Sequence, residues 1–179
     1  MKAYLRFLIP AGIFAALVGF FVIGLQKDPS IVPSPLIGKP APQFVLEDLS
    51  DATQTVGSAD TQGRMHLVNV WGTWCGGCRQ EHPVLMQIAA TKVIPIIGLD
   101  WKDNRDQALR WLAQLGNPYE RTAFDPEGQV AIDWGVYGAP ETFLVGADGT
   151  ILFKRIGPMT LAVWQQDFLP LINGTGGQT

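Results

Sequence analysis

The sequence predicts an α/β domain built on a mixed central sheet flanked by helices, preceded by one apolar N-terminal helix. Three observations carry that prediction. Strand-like and helix-like segments alternate from residue 43 onward. The last two strands are joined by the turn Ala147-Asp148-Gly149, and a helix follows them. Residues 7–25 form a run of 19 residues without a charge. Alternation gives parallel neighbours through helical crossovers, a terminal hairpin adds antiparallel ones, and together they make a mixed sheet.

The apolar run reads FLIPAGIFAALVGFFVIGL. Nineteen helical residues span about 28 Å, close to the thickness of a bilayer core. A cleaved signal would have an apolar region of about 7–15 residues and a small-x-small site. This run is longer and VIGLQKDPS offers no such site, so an uncleaved anchor is favoured. Lys2 and Arg6 precede the run, whereas Lys27 after it is paired with Asp28. That bias puts residues 1–6 in the cytoplasm and the rest across the membrane, in the periplasm of a Gram-negative cell. Pro10 falls in the first turns, where it does least harm. Residues 26–42 hold five prolines and read as an extended spacer.

The globular part is expected over residues 43–173, with 174–179 as a frayed tail. FVLEDL reads as a short strand and DATQTVGSADTQG as a turn-rich connection. MHLVNVWGTW holds a compact apolar run suited to a buried strand. From Cys75 the pattern turns helical, with Val84, Leu85, Ile88 and Ala89 on one face and Pro83 expected to kink the helix. KVIPIIGLDW is a second buried strand. NRDQALRWLAQLG is an amphipathic helix with Ala108, Leu109, Trp111, Leu112 and Leu115 as its apolar set, closed by Gly116. YERTAFD is a short strand and EGQVAIDWGV a short helix; TFLVGADGTILFKRIG is the hairpin and LAVWQQDFLPLI the last helix.

Composition excludes some partners. The 179 residues are 47% hydrophobic, enough for a real core. Without Lys2 and Arg6 the chain keeps 11 basic side chains against 16 acidic ones. No basic stripe with interleaved aromatics is present, so nucleic acid is not an expected ligand.

The two cysteines, Cys75 and Cys78, stand in WGTWCGGC. As a staple the pair does little, because closing so short a loop barely restricts the unfolded chain. As a metal site it is short of ligands. The only histidines are His66 and His82; His82, four residues after Cys78, would make three ligands at best, and it is expected on the helix surface. No metal and no cofactor is therefore expected. A redox role fits the context. The pair lies where a buried strand hands over to a helix N-terminus, whose free N–H groups and dipole stabilise a thiolate at Cys75. Cys78, one turn later and more buried, is suited to resolve a mixed disulfide. A C-x-x-C beside a β-α-β pattern is a thioredoxin-like cue.

LVNVWGTWCGGCRQEHPVL resembles the active-site stretch of thioredoxin-like proteins, and specifically the membrane-anchored thiol:disulfide interchange proteins of cytochrome c maturation, the CcmG/DsbE family. KDPSIVPSPLIGKPAPQF resembles that family's linker and entry strand, and GVYGAPETFLV its second fingerprint. The resemblance implies a thioredoxin-like fold with Cys75 as exposed nucleophile, Cys78 as resolving thiol and Trp74 flanking them on the surface. It implies that Pro140, after Ala139, is a cis-proline facing Cys75, and that Glu141 and Thr142 shape the substrate groove beside it. Glu81 matches an acidic residue of the active-site helix. Asn69 stands where many thioredoxins carry a buried acid, so Glu81 is the better candidate to take the proton of Cys78. The implied partners are apocytochrome c, whose heme-attachment cysteines would be reduced, and a transmembrane electron donor of the DsbD/CcdA type. Further components of cytochrome c maturation and the inner membrane complete the set.

Two other readings remain open at this level: a general periplasmic thioredoxin-like reductase or oxidase with other clients, and a module that holds apocytochrome without redox turnover. Gly76-Gly77 departs from the resemblance, which implies a proline-containing pair there. Two glycines loosen the loop and remove side chains that could touch the sulfurs.

Overall fold

The computed structural model describes residues 2–25 and 35–175, with side chains from 9 to 21 and from 35 to 174. It divides into an N-terminal unit and a larger globular unit. The described residues of the N-terminal unit form one helix, α1 (Lys2–Leu25), with Pro10 inside it; the helix begins ahead of the apolar run. Among the described residues no helix is long and apolar enough to cross a membrane. The expected anchor, 7–25, runs beyond the side chains described. Most of the expected spacer, 26–34, and the tail from 176 onward lie outside the described residues.

The globular unit is built on a five-stranded sheet. Its strands are β3 (His66–Trp71), β4 (Ile96–Trp101), β5 (Arg121–Asp125), β6 (Glu141–Val145) and β7 (Ile151–Ile156). Their order is β5-β4-β3-β6-β7, with β3, β4 and β5 parallel and β6 and β7 antiparallel to their neighbours. This is the mixed sheet the alternation predicts. The helices are α2 (Gly76–Thr91), α3 (Arg105–Leu115), α4 (Gln129–Asp133), α5 (Leu161–Val163) and α6 (Leu169–Thr175), with a π-helical turn, Trp164–Phe168, between the last two. Thus 174 and 175 end a helix and do not belong to a tail.

All six residues of β3 are buried, as expected of a central strand covered on both faces. The pleat sends Leu67 and Trp71 into the core that holds both cysteines, Leu85, Ile88 and Trp111. Val68 and Val70 go to the second core, with Ile97, Leu99, Trp134 and Phe143. In α3, Ala108, Trp111 and Leu112 are buried, Leu109 is partly buried and Leu115 is exposed. Asn104 caps that helix by accepting from Gln107 N at 3.2 Å.

Two expectations are corrected. The turn-rich connection after β1 (Val45–Glu47) contains a strand, β2 (Thr55–Gly57), paired antiparallel with β1. The spacer ends earlier than residue 42: Gly38 N donates to Ile151 O and Ala41 N to Gly149 O, both at 2.8 Å, so 38–41 is stitched to the β6–β7 hairpin. Prolines can line a sheet edge, where a missing N–H costs nothing. Pro83 lies inside α2, which runs on past it to Thr91.

Candidate functional site

The redox site forms where β3 ends and α2 begins. Cys75 is the N-cap of α2, in extended backbone, and is joined to Cys78 by a disulfide. Cys78 N lies 3.0 Å from Cys75 Sγ. In the reduced protein the same amide is placed to donate to a Cys75 thiolate, which, with the dipole of a 16-residue helix, favours the ionised sulfur at that position. In the oxidised state Cys75 is only 5% exposed, against 2% for Cys78. The expected ranking holds, but Cys75 is not the openly exposed sulfur implied by the resemblance.

Beside the disulfide loop, at Gly77, lies the Ala139-Pro140 bond, which is cis. Its closeness explains one of the two glycines. A Cβ on Gly77 would lie 2.8 Å from Pro140 Cδ and 3.4 Å from Pro158 Cγ, whereas one on Gly76 would meet nothing within 4 Å. Gly77 therefore admits the two prolines to the disulfide loop, and Gly76 faces open space. Trp74 is 52% exposed beside the disulfide, in edge contact with Trp101 and donating from Nε1 to Trp101 O at 3.2 Å.

The buried polar centre lies between α2, β3 and β6. Asn69 Nδ2 donates to Glu81 Oε1 at 2.8 Å and to Thr142 Oγ1 at 3.0 Å. Tyr119 OH donates to Asn69 Oδ1 at 2.9 Å, and Met159 N donates to Glu81 Oε2 at 2.6 Å. Glu81, three residues after Cys78 and on its helix face, is 1% exposed. Burial pushes its carboxyl up to about 7, against the opposing pull of the Met159 amide and Asn69. A carboxyl held there can take or give a proton near neutral pH. The Tyr119 phenol is pushed well above its ordinary range by burial and by the charges of Glu81 and Asp100.

Two expected roles change. Glu141 and Thr142 are wholly buried, so neither side chain forms the wall of an open groove. Glu141 follows the pleat of Phe143 and Val145 into the second core, away from the face that holds the cysteines. There its Oε2 lies 2.9 Å from Lys154 Nζ, with both side chains at 0% exposure. Its Oε1 accepts from Tyr137 N at 2.8 Å and Gly138 N at 3.3 Å. Lys154 also donates to Gly135 O at 2.7 Å. Glu141 and Lys154 thus brace the turn that delivers Pro140. His82 is not a surface residue: it is 3% exposed, its ring stacks on Trp111 with centroids 5.4 Å apart, and Nε2 is 3.0 Å from Gly116 O. α2 packs against the end of α3, and His82 falls on that seam. Tyr119, Met159 and Lys154 escaped sequence reasoning, because each comes from a distant segment and none stands in a motif.

No group of three or more metal-binding side chains is found among the described residues. The redox group is the chain's own disulfide.

Comparison with known proteins matches this geometry. A family model, Redoxin, matches residues 36–165. The chain is 50% identical over 167 residues to the thiol:disulfide interchange protein DsbE of Allochromatium vinosum, covering 93% of this chain and 92% of that one. It is 43% identical over 171 residues to DsbE of Escherichia coli K12, covering 92% and 91%. Among solved structures, a secreted Mycobacterium tuberculosis disulfide oxidoreductase homologous to E. coli DsbE superposes with a TM-score of 0.61 at 22% identity. That match covers 74% of this chain and 96% of the other and shows the shared thioredoxin-like fold. A buried C-x-x-C disulfide at a helix N-cap, in a chain aligned with these relatives over nearly its whole length, is that of a redox enzyme: the protein belongs to the DsbE family of thiol:disulfide interchange proteins within the Redoxin family.

Proposed function

We propose that this protein is a membrane-tethered periplasmic reductant that reduces the heme-attachment cysteines of apocytochrome c before heme is joined. The observation that supports it most is Cys78 N, 3.0 Å from Cys75 Sγ at the start of α2, with buried Glu81 one turn further on. That arrangement favours a Cys75 thiolate and offers a proton acceptor to Cys78.

The reaction begins with the dithiol form. The Cys75 thiolate attacks one sulfur of the substrate disulfide; a new S–S bond forms, the old one breaks, and the other substrate sulfur leaves as a thiolate that takes up a proton. Cys78, losing its proton to Glu81, attacks the Cys75 sulfur and releases the second substrate thiolate. Two electrons pass to the substrate and Cys75–Cys78 ends as the disulfide. Pro140, packed against Gly77, and exposed Trp74 border the place where the substrate segment would lie.

The oxidised protein needs a reductant. The periplasm is oxidising, so electrons would come from a transmembrane donor of the DsbD/CcdA type. The uncharged run 7–25 would hold the enzyme at the inner membrane, near that donor and the other cytochrome c maturation components.

Trapping tests the client. Cys78→Ser leaves Cys75 free to attack but removes the resolving thiol, so a mixed disulfide should persist in cells. Mass spectrometry of the captured species should find an apocytochrome c. Repeated capture of unrelated periplasmic proteins would overturn the client and leave a general reductase.

A further inference from the structure

The loop between β4 and α3 is tied to the stretch that delivers Cys75. Asp103 Oδ1 accepts from Thr73 Oγ1 at 2.7 Å, and Asp103 Oδ2 accepts from Thr73 N. Asn104 N also donates to Asp103 Oδ1, at 2.7 Å. Two residues earlier, Trp101 O receives the Trp74 indole N–H. The seam is tight at Gly72, where a Cβ would lie 2.6 Å from Trp74 Nε1 and 3.2 Å from Trp101 O. Lys102, between Trp101 and Asp103, has a φ of 50°, a conformation that side-chain-bearing residues rarely adopt. Its N–H donates to Asp125 O at 2.9 Å, which pins the turn and directs Asp103 at Thr73.

Asp100 lies at the root of the same turn. It pairs in register with Trp71 on β3 and Phe124 on β5 and is 0% exposed. Neither of its oxygens meets a hydrogen-bond donor among the described residues. A buried carboxylate without a donor is costly, so this carboxyl keeps its proton. The charged and titratable groups around it are Asp103, Arg105 and the Tyr119 phenol; Trp71 and Phe124 carry no charge. Arg105 is engaged elsewhere, with Asp48 O at 2.6 Å, Leu49 O at 2.8 Å and Glu47 Oε2 at 2.6 Å.

We propose that Asp103 is a positioning residue for disulfide exchange, and that Asp100, buried without a donor at the root of the same turn, holds it in place, so that the two acids together set Thr73 and the approach of Trp74 and Cys75. The inference rests on Cys75–Cys78 as the exchanging pair and not on which client it serves. Burial, reinforced by Asp103, pushes Asp100 up to about 8. Below that pH the neutral Asp100 tolerates the Asp103 carboxylate. Above it two like charges face each other, Asp103 is driven from Thr73, and the loop ahead of Cys75 loosens.

The test uses the full chain in detergent, in the oxidised state, where neither cysteine titrates. The Thr73 amide resonance is followed from pH 6 to 10. An inflection near pH 8 is expected in the parent protein and in Glu81→Gln, and its absence is expected in Asp100→Asn. The same inflection in Asp100→Asn would overturn the pair. Asp103→Ala should slow exchange with glutathione by roughly tenfold or more, the scale of misplacing a reacting group by a fraction of an ångström to an ångström. Asp103→Asn, which keeps one acceptor for Thr73, should lose less. A parent-like glutathione exchange rate in Asp103→Ala would overturn the positioning role. If that variant does not fold, the comparison of Asp103→Asn with the parent decides in its place: an unchanged rate overturns the role and a slowed one supports it. Glutathione as the probe keeps the result independent of the apocytochrome assignment.

Discussion

Glu81 on α2 and Asn69 on β3 are joined by a 2.8 Å hydrogen bond from Asn69 Nδ2 to Glu81 Oε1. The strand contributes an amide that cannot exchange a proton, and the helix contributes the acid. Asn69 spends its other capacity on Thr142 and Tyr119, so it works as a bracket that orients the carboxylate. The proton-carrying group of the buried centre therefore rides on the same helix as Cys78.

The burial of Glu81 makes stability depend on pH. Glu81 has an ordinary value of 4.5 and about 7 when folded, raised chiefly by burial. The folded state thus holds the proton more tightly than the unfolded one. Its contribution is fully present below about pH 4.5, falls as pH rises from there to about 7, and is flat above. The total is on the order of 3 kcal/mol. Glu81→Gln has no such proton, so denaturant midpoints from pH 4.5 to 7 should decline less steeply than in the parent. Parallel curves for the two proteins would show that burial does not raise Glu81.

The two glycines between the cysteines should respond in opposite ways. Gly76 is the first residue of α2 and a Cβ there meets nothing within 4 Å. Proline suits that position, because its N–H is not needed and its φ is preset. Gly76→Pro should stabilise by about 0.4–1 kcal/mol, through the unfolded chain. Gly77→Ala sets a methyl 2.8 Å from Pro140 Cδ and should displace the proline loop. A stability loss of about 1–3 kcal/mol is expected from that overpacking. A change in the cysteine-pair potential should accompany Gly77→Ala. Thermal melts and glutathione equilibration check both, and a Gly77→Ala protein with parent melting and potential would refute the contact.

Much of this was legible in the sequence for physical reasons. MHLVNVW carries enough apolar residues to be recognised as a central strand, and a C-x-x-C at its end reads directly as a helix-capping redox pair. GVYGAPETF placed Pro140 by resemblance. Side-chain facing was harder. His82 and Glu81 are polar residues on a helix that buries more than one stripe, and polarity alone sent His82 to the surface. Glu141 and Thr142 are adjacent, so the pleat sends them to opposite faces, and only the strand boundary shows which one meets Asn69. Asp100 closes a run of apolar strand residues; nothing in the run marks an acid without a donor. Strand β2 is three residues long and its neighbours are turn formers, so local pattern favoured a loop.

His82 should behave oppositely to Glu81. Burial holds its imidazole below the ordinary 6.5, so the fold keeps it neutral. Its stacking on Trp111 is then fully present above about pH 6.5 and is lost as pH falls through the folded value, when the ring must charge in a buried seam. His66 is lowered by burial too, with the same sign. His82→Phe should keep the stack and remove part of the acid destabilisation, while His66 supplies the remainder. Unfolding midpoints from pH 7 down to 5 measure this; an acid slope unchanged by His82→Phe would mean that the ring takes up its proton equally well in the folded and unfolded chains.

The Lys154–Glu141 pair offers the sharpest separation of support from chemistry. Both side chains are at 0% exposure and 2.9 Å apart, so removing one leaves an uncompensated charge in the second core. Lys154→Met should cost about 3–5 kcal/mol. Glu141→Gln alone should also destabilise, since Lys154 loses its carboxylate and keeps Gly135 O and the ring faces of Tyr137 and Phe143. The double substitution should recover much of the loss, because an amide at 141 can still accept from Tyr137 N while methionine fills the space of the lysine stem. Glu141 faces away from the cysteines, so once stability is restored the exchange rate with glutathione should return to within a few-fold of the parent. A double variant that is stable yet still slow by a hundredfold would place Glu141 in the chemistry after all. Stability from urea titration and rate from stopped-flow mixing, taken on the same four proteins, separate the two roles.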